Sequence, residues 1–205
     1  TTSTVVSWAR RCVKETDQQR VEGVDYQKTF DYLSFHTPFG GMVKGAHRSM
    51  MRKLKRAKPI EIEEDFQKRV MPGLVYCQQV GNIMGATVFL SLASMIDNAD
   101  FSKPRRVGIF SYGSGCCSEF YSGVVTPQGK EIQAQQKISS QLAMRYSLSM
   151  EEYEQLLSHS STVAFGTRNV TLDYKLFPGV WEQIEGKGRL VLKRIKEFHR
   201  EYEWV

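Results

Sequence analysis

His36 is the first residue in this sequence whose setting suggests chemistry. It stands inside Leu33–His47, "LSFHTPFGGMVKGAH", between Phe35 and Thr37-Pro38-Phe39, with Gly40 and Gly41 following. At the end of a buried strand its ring would be desolvated and fixed in orientation. That keeps an imidazole neutral and able to donate one hydrogen bond, which suits polarising a carbonyl. A core histidine with satisfied hydrogen bonds is the alternative. His47, His159 and His199 lie in polar, helix-like or strand-like contexts and are expected at the surface.

A second group is Gly113-Ser114-Gly115, which ends the run "RRVGIFSY". The G-x-S-x-G elbow of a hydrolase fails, because Tyr112 stands two residues before the serine. A dinucleotide fingerprint fails as well, because the residue three after Gly115 is Ser118. What remains is a tight turn at a strand end, either a plain turn or one whose backbone N–H groups bind an oxyanion. The four cysteines, Cys12, Cys77, Cys116 and Cys117, include no CxxC pair and no histidine at metal spacing. Neither a disulfide framework nor a zinc site is expected, and no permanently bound cofactor or metal. Nothing beside Cys116 or Cys117 lowers a thiol pKa, so both read as small buried residues rather than nucleophiles.

The elements that must position these groups follow from periodicity. Val5–Glu15 has helical spacing, and Phe30–His36 has the aromatic and apolar content of a buried strand, which Pro38, Gly40 and Gly41 end. From Met42 to Ala57, apolar residues at 43, 46, 50, 54 and 57 form one stripe of a helix. Lys44, Arg48, Arg52 and Arg56 form another, with Lys58 just beyond. This cationic stripe is either a solvated face or a binding surface, and it lacks the interleaved aromatics of a nucleic-acid platform. An acidic helix over Glu61–Val70 closes at Met71–Gly73. A small-residue helix over Met84–Ala99 follows, with no polar face, as expected of an element buried between others. A strand of four to six residues precedes Gly113, "CSEFYSGVV" is its partner, and helices follow around 133–146 and 149–158. The chain closes on the alternating "RLVLKRIKEFHREYEW". The mixture reads as α/β.

The bulk numbers fit this reading. With 205 residues, 41% of them hydrophobic, the chain can bury a core of its own. Its longest apolar run, Ala86–Ile96, falls well short of the roughly 20 residues a bilayer span needs. Neither a membrane helix nor a secretory leader is expected, and a reducing cytoplasm fits the cysteines. The net charge of +6 admits an acidic partner of some kind.

Three segments together are more specific. "FDYLSFHTPFGGMVKGAHR", "YCQQVGNIMGATVFLSLAS" and "RRVGIFSYGSGCCSEFYSGVV" occur in an order and spacing that resembles the C-terminal half of 3-hydroxy-3-methylglutaryl-CoA (HMG-CoA) synthases of the thiolase superfamily, and "FPGVWEQIEGKGRLVLKRIKEFHREYEW" resembles their last strands. The resemblance covers nearly the whole chain and implies a thiolase-like αβαβα layered fold, with residues 1–205 as its C-terminal half. It also implies a Claisen-type condensation. An acetyl group is loaded on a cysteine, a glutamate removes a methyl proton, the enolate attacks the ketone of an acetoacetyl thioester, and water releases the product. His36 matches the histidine that stabilises the acetoacetyl carbonyl oxygen, Asn82 the asparagine that shares the task, and Ser114 the serine whose backbone N–H helps form the acetyl oxyanion hole. Phe35, Pro38, Phe39, Tyr112 and Gly113 fall where substrate and phosphopantetheine bind.

Two departures from the family pattern matter. The family's acetylated cysteine and catalytic glutamate belong to an N-terminal half that these residues do not contain, so these residues alone are expected to be inactive and to act with that half. Members using free coenzyme A carry lysines after the histidine where this chain has Gly41 and Gly45, with Lys44 at a neighbouring position. That points to acyl carrier proteins as donor and acceptor, as in synthases that resemble those of polyketide β-branching. Their acidic surface would dock on Lys44, Arg48, Arg52, Arg56 and Lys58. The resemblance further implies a homodimer and no nucleic-acid partner. An HMG-CoA synthase of the mevalonate pathway and a non-catalytic carrier-binding module are the alternatives.

Overall fold

Alternation along one short strand organises the first part of the molecule. In the computed structural model, which describes residues 25–113 and 117–205, β1 (Tyr32–Phe35) has all four residues buried. Leu33 and Phe35 face one apolar cluster with Val43, Met50, Met51, Ile62, Phe66, Leu74 and Phe110. Tyr32 faces a second with Val88, Met95, Phe101, Val107 and Ile109. A strand with period-two side chains can be buried on both faces only if helices cover both. Here α2 (Gly40–Lys55) and α3 (Pro59–Arg69) supply the first cluster, and α5 (Thr87–Asn98) the second.

β1 pairs in parallel with β2 (Arg105–Gly113), from Tyr32↔Val107 to Phe35↔Phe110. β3 (Cys117–Val125) then pairs antiparallel with β2, from Arg105↔Val125 to Gly113↔Cys117, so the sheet order is β1-β2-β3. Gly108 is required in the middle of β2, because a Cβ there would lie 3.0 Å from both the Leu33 and the Phe120 side chains. Small residues also explain α5. Ser91 and Ser94 are buried in it, and the Ser94 hydroxyl donates to Pro72 O at 2.7 Å and accepts from Tyr76 N–H at 3.2 Å. That binds the 3₁₀ turn Met71–Leu74 and the start of α4 (Val75–Val80) to its flank.

A short helix α1 (Tyr26–Thr29) enters β1, and α6 (Pro127–Ala134) and α7 (Ile138–Ala143) follow the sheet. Residues from Ala143 on form a second unit. It holds α8 (Met150–Ser161), with a Ser149–Glu152 capping box, and α9 (Pro178–Ile184). Its sheet has the order β4 (Val170–Thr171), β5 (Leu190–Lys196), β6 (His199–Trp204). The β5–β6 hairpin turns through Glu197 and Phe198, with φ of 45° and 67°, the pair of left-handed residues a two-residue hairpin loop needs. No helix among the described residues is long and apolar enough to cross a membrane.

The buried strand, the basic helix, the acidic helix, the β2–β3 pair and the final alternating strands agree with the sequence expectations. Several boundaries differ. Gly40 and Gly41 open α2 rather than close the strand. β2 has nine residues instead of four to six, and α4, β4 and α9 have no counterpart in the periodicity. In place of the expected helix around 133–146 there are only the end of α6 and the short α7. The expected helix at Val5–Glu15 lies outside the described residues.

His47 corrects an expectation outright: it is fully buried rather than at the surface. The stripe that faces the core runs through Val43, Ala46, His47, Met50 and Met51, a phase in which His47 is an inward position. Its Nε2 lies 2.7 Å from Asp65 Oδ2 on α3. Asp65 Oδ1 accepts from Arg69 at 3.1 Å, and Arg69 in turn donates to Phe30 O at 2.8 Å. Burial alone would raise the Asp65 carboxyl, but the His47 hydrogen bond and the Arg69 charge together hold it below its ordinary value. A depressed carboxylate stabilises the fold above the unfolded pKa of 3.8, and that stabilisation is lost as pH falls through the lower folded value. Asp65→Ala is therefore expected to cost about 3–5 kcal/mol near neutral pH, by stranding Arg69. In urea unfolding at a series of pH values, the gap to the unmodified protein should narrow below about pH 4.

Candidate active site

His36 continues β1 by one residue. Its backbone N–H donates to Phe110 O at 2.8 Å, and the Thr37 hydroxyl turns back to Phe35 O at 2.8 Å, which fixes the chain where it leaves the sheet. The imidazole is 9% exposed and lies 6.1 Å from the Tyr112 ring, centroid to centroid, at the end of the neighbouring strand. Its Nδ1 is buried without a hydrogen-bond partner among the described residues. Burial pushes its pKa below the ordinary 6.5, so the ring is neutral near pH 7. A buried neutral imidazole with an unused polar nitrogen is unlike the satisfied core histidine that was the alternative reading. The C-terminal end of parallel strands is also where open α/β sheets place ligands.

Asn82 is held in a different way. Gly81 ends α4 with φ 82° and ψ −160°, a region essentially confined to glycine, and this turns the chain into Asn82. The Asn82 Oδ1 accepts from Met84 N–H at 2.9 Å and lies 3.2 Å from the Thr87 hydroxyl. With the oxygen so engaged, the amide NH₂ is the group left to donate. The residue itself is exposed.

The other sequence candidates divide. Pro38 and Phe39 link β1 to α2, and Phe39 is 60% exposed. Tyr112 is half-buried and Gly113 exposed at the end of β2. Phe35 is in the core, 5% exposed and packed near Phe110 with ring centroids 6.4 Å apart, so it supports the strand end instead of facing a ligand. Ser114, Cys116 and Cys12 lie outside the described residues. Cys77 is buried and Cys117 exposed, both as free thiols. No group of three or more potential metal ligands occurs among the described residues.

The cationic set is less uniform than the sequence suggests. Lys44 is paired with Glu63 at 2.8 Å and rests 5.5 Å above the Phe66 ring. Arg48 and Arg52 are exposed on α2 and make no ion pair among the described residues. Arg56 is the left-handed residue that stops α2, and Lys58 precedes α3, so neither extends the helical stripe. Sequence reasoning missed the His47–Asp65–Arg69 chain. Its one visible signal is the Asp65–Arg69 spacing of i, i+4.

Residues 46–201 match the family described as "Hydroxymethylglutaryl-coenzyme A synthase C terminal", so the chain belongs to that family, and its α/β fold is thiolase-like. Among curated proteins it is 60% identical over 188 residues to the polyketide biosynthesis 3-hydroxy-3-methylglutaryl-ACP synthase PksG of Bacillus subtilis, covering 92% of this chain and 45% of that protein. To the hydroxymethylglutaryl-CoA synthase of Enterococcus faecalis it is 28% identical over 146 residues, 70% of this chain and 37% of that protein. Among solved structures, the HMG synthase of the curacin biosynthetic pathway, in complex with acetyl donor-ACP, matches with TM-score 0.92 and 78% identity over 98% of this chain and 50% of that one. The chain thus spans about half the length of the relatives it matches.

Gly81 gives a test of how Asn82 is held. Gly81→Ala has open space for its Cβ but the wrong backbone region, and should cost on the order of 1–3 kcal/mol by strain alone. A urea midpoint shifted to match, with α-helical circular dichroism unchanged, is the expected result.

Proposed function

We propose that this chain is the C-terminal half of an HMG synthase of polyketide β-branching. That enzyme adds an acetyl-derived carboxymethyl unit to a β-ketoacyl thioester held on an acyl carrier protein. The observation that carries the reading is His36, neutral, buried and with an unpartnered ring nitrogen beside Tyr112 at the end of the parallel strands. As the enolate of the loaded acetyl group attacks the acceptor ketone, negative charge builds on the ketone oxygen. A hydrogen bond from a neutral imidazole stabilises that charge in a water-poor site. The Asn82 amide is the second donor. Loading of the acetyl group, proton abstraction and the second oxyanion hole, to which Ser114 contributes, need the cysteine and glutamate of the N-terminal half.

Carrier protein rather than free coenzyme A is favoured by Gly41 and Gly45, which leave the first turns of α2 without point charges for nucleotide phosphates. It is favoured as well by the relatives' identities: 60% to a named ACP synthase against 28% to a named CoA synthase. Arg48 and Arg52, exposed and without ion pairs, suit an acidic carrier surface better than Lys44, which Glu63 already occupies. Phosphopantetheine arrives as part of the substrate, the enzyme holds no cofactor of its own, and a cytoplasmic homodimer completes the reading.

Two experiments on the full enzyme test it. Charge reversal at Arg48 and Arg52 should reduce turnover of carrier-bound substrate by about tenfold or more at low salt. The loss should shrink as ionic strength rises and leave turnover of coenzyme A thioesters much less affected. Equal losses for both carriers would remove the docking role. His36→Ala should abolish condensation while acetyl loading, seen as an adduct of roughly 42 Da by intact mass spectrometry, continues. Loss of loading as well would show the role assigned to His36 to be wrong.

A further inference from the structure

Thr87 opens α5, yet it is fully buried, 0% exposed, and its hydroxyl is turned toward the loop that carries Asn82. The oxygen accepts from Ile83 N–H at 3.0 Å, the proton goes to Met84 O at 2.8 Å, and Asn82 Oδ1 stands 3.2 Å away. A hydroxyl has one proton and two lone pairs, so this single side chain meets all three residues of the segment 82–84. The same contacts hold a strained residue. Met84 keeps φ at 56°, a left-handed value uncommon for a side chain of its size. Such a conformation persists only where its surroundings over-determine it. Here both backbone groups of Met84 are engaged, its N–H by Asn82 Oδ1 at 2.9 Å and its carbonyl by Thr87. Thr87 itself is anchored, because α5 is packed into the second apolar cluster through Val88 and Met95.

We infer that Thr87 is a positioning residue for the condensation: its hydroxyl pins residues 82–84 to the start of α5, so that Asn82 presents its NH₂ and not its oxygen to the acceptor ketone. The inference rests on the reading given under Proposed function, in which Asn82 touches the ketone, and Thr87 acts only through Asn82. The last torsion of an asparagine is broad, and a turned amide would set its oxygen against the ketone oxygen, replacing a donor by a repelling acceptor. The Met84 N–H opposes that turn, since only the oxygen of the amide can accept from it. Met84 aims its N–H at Asn82 while it keeps its left-handed backbone, and the Thr87 hydroxyl engages the carbonyl of that same residue. Gly81 sets the chain on entry to Asn82, and Thr87 sets it on exit.

The test uses the full enzyme with an acetoacetyl carrier protein as acceptor. Thr87→Val keeps the shape of the side chain and removes the hydroxyl. It should lower kcat for condensation by about tenfold to a hundredfold, the scale of loss when a catalytic group is misplaced. KM should change little, as expected for an interaction that strengthens in the transition state. Acetyl loading, which in this reading does not use Asn82, should keep its rate. Thr87→Ser restores the hydroxyl and should recover most of the loss, and Thr87→Cys, with its weaker donor, supplies the comparison if Thr87→Val does not fold. The deciding measurement is the double variant. In an Asn82→Ala background, Thr87→Val should cause no further loss, because its effect passes through the missing amide. Full activity in Thr87→Val, equal losses of loading and condensation, or an undiminished loss in the Asn82→Ala background would each overturn the role of Thr87 while leaving the proposed reaction intact. Undiminished condensation by Asn82→Ala alone would overturn the donor role of Asn82, and the inference with it.

Discussion

The parallel pairing of β1 with β2 is the constraint on which the rest of the first unit depends. Its register, Tyr32↔Val107 through Phe35↔Phe110, is carried one step further by the His36 N–H on Phe110 O. A slip by one residue would exchange the two faces of β1, sending Leu33 and Phe35 toward the serines of α5 and Ser34 into the apolar cluster under α2 and α3. Ser34 shows how closely the faces are specified, since its hydroxyl meets Ser91 Oγ at 3.0 Å. With the register fixed, His36 can only emerge where the sheet ends. The layers that bury β1 also remove water from the imidazole, so the packing that stabilises the strand is the packing that keeps the ring neutral.

α2 has two electrostatic jobs that its sequence separates by phase. On the inward side His47 reaches Asp65, and through it Arg69 and the Phe30 carbonyl, which secures the segment leading into β1. On the outward side Arg48 and Arg52 stay in solvent. A buried ionic chain of this kind contributes little net stability against a well-packed apolar alternative, but it is costly to break. Its effect is to fix where α2 and α3 lie against β1. The exposed arginines cost almost nothing to leave unpaired, since water solvates them, and they remain available for long-range attraction.

Much of this was legible in the sequence. The aromatic run ending at His36, the helical stripe after it and the strand pair around Gly113 all carry local signals that the tertiary structure keeps. His47 was misread because it sits between Lys44 and Arg48, and local polarity outweighed helical phase. Its partner, Asp65, lies on another helix and no pattern in α2 announces it. α4 is hidden because "YCQQV" is short and lies between Gly73 and Gly81, and the tertiary contact that caps its first turn, Ser94 on α5 accepting from the Tyr76 N–H, leaves no local signal. The roles proposed for His36, Asn82 and Ser114 come from resemblance to a family and not from periodicity or spacing, because catalytic geometry is assembled from segments far apart in the chain.

His36 and Asn82 illustrate that assembly. One is set by a sheet register and a buried strand, the other by a glycine-only backbone turn and a side-chain hydrogen bond to its own loop. Neither anchor involves the other residue. On the proposed reading the two are donors set before the substrate arrives, and such donors cost no reorganisation when charge develops, which is where most of the advantage of such a site over water lies.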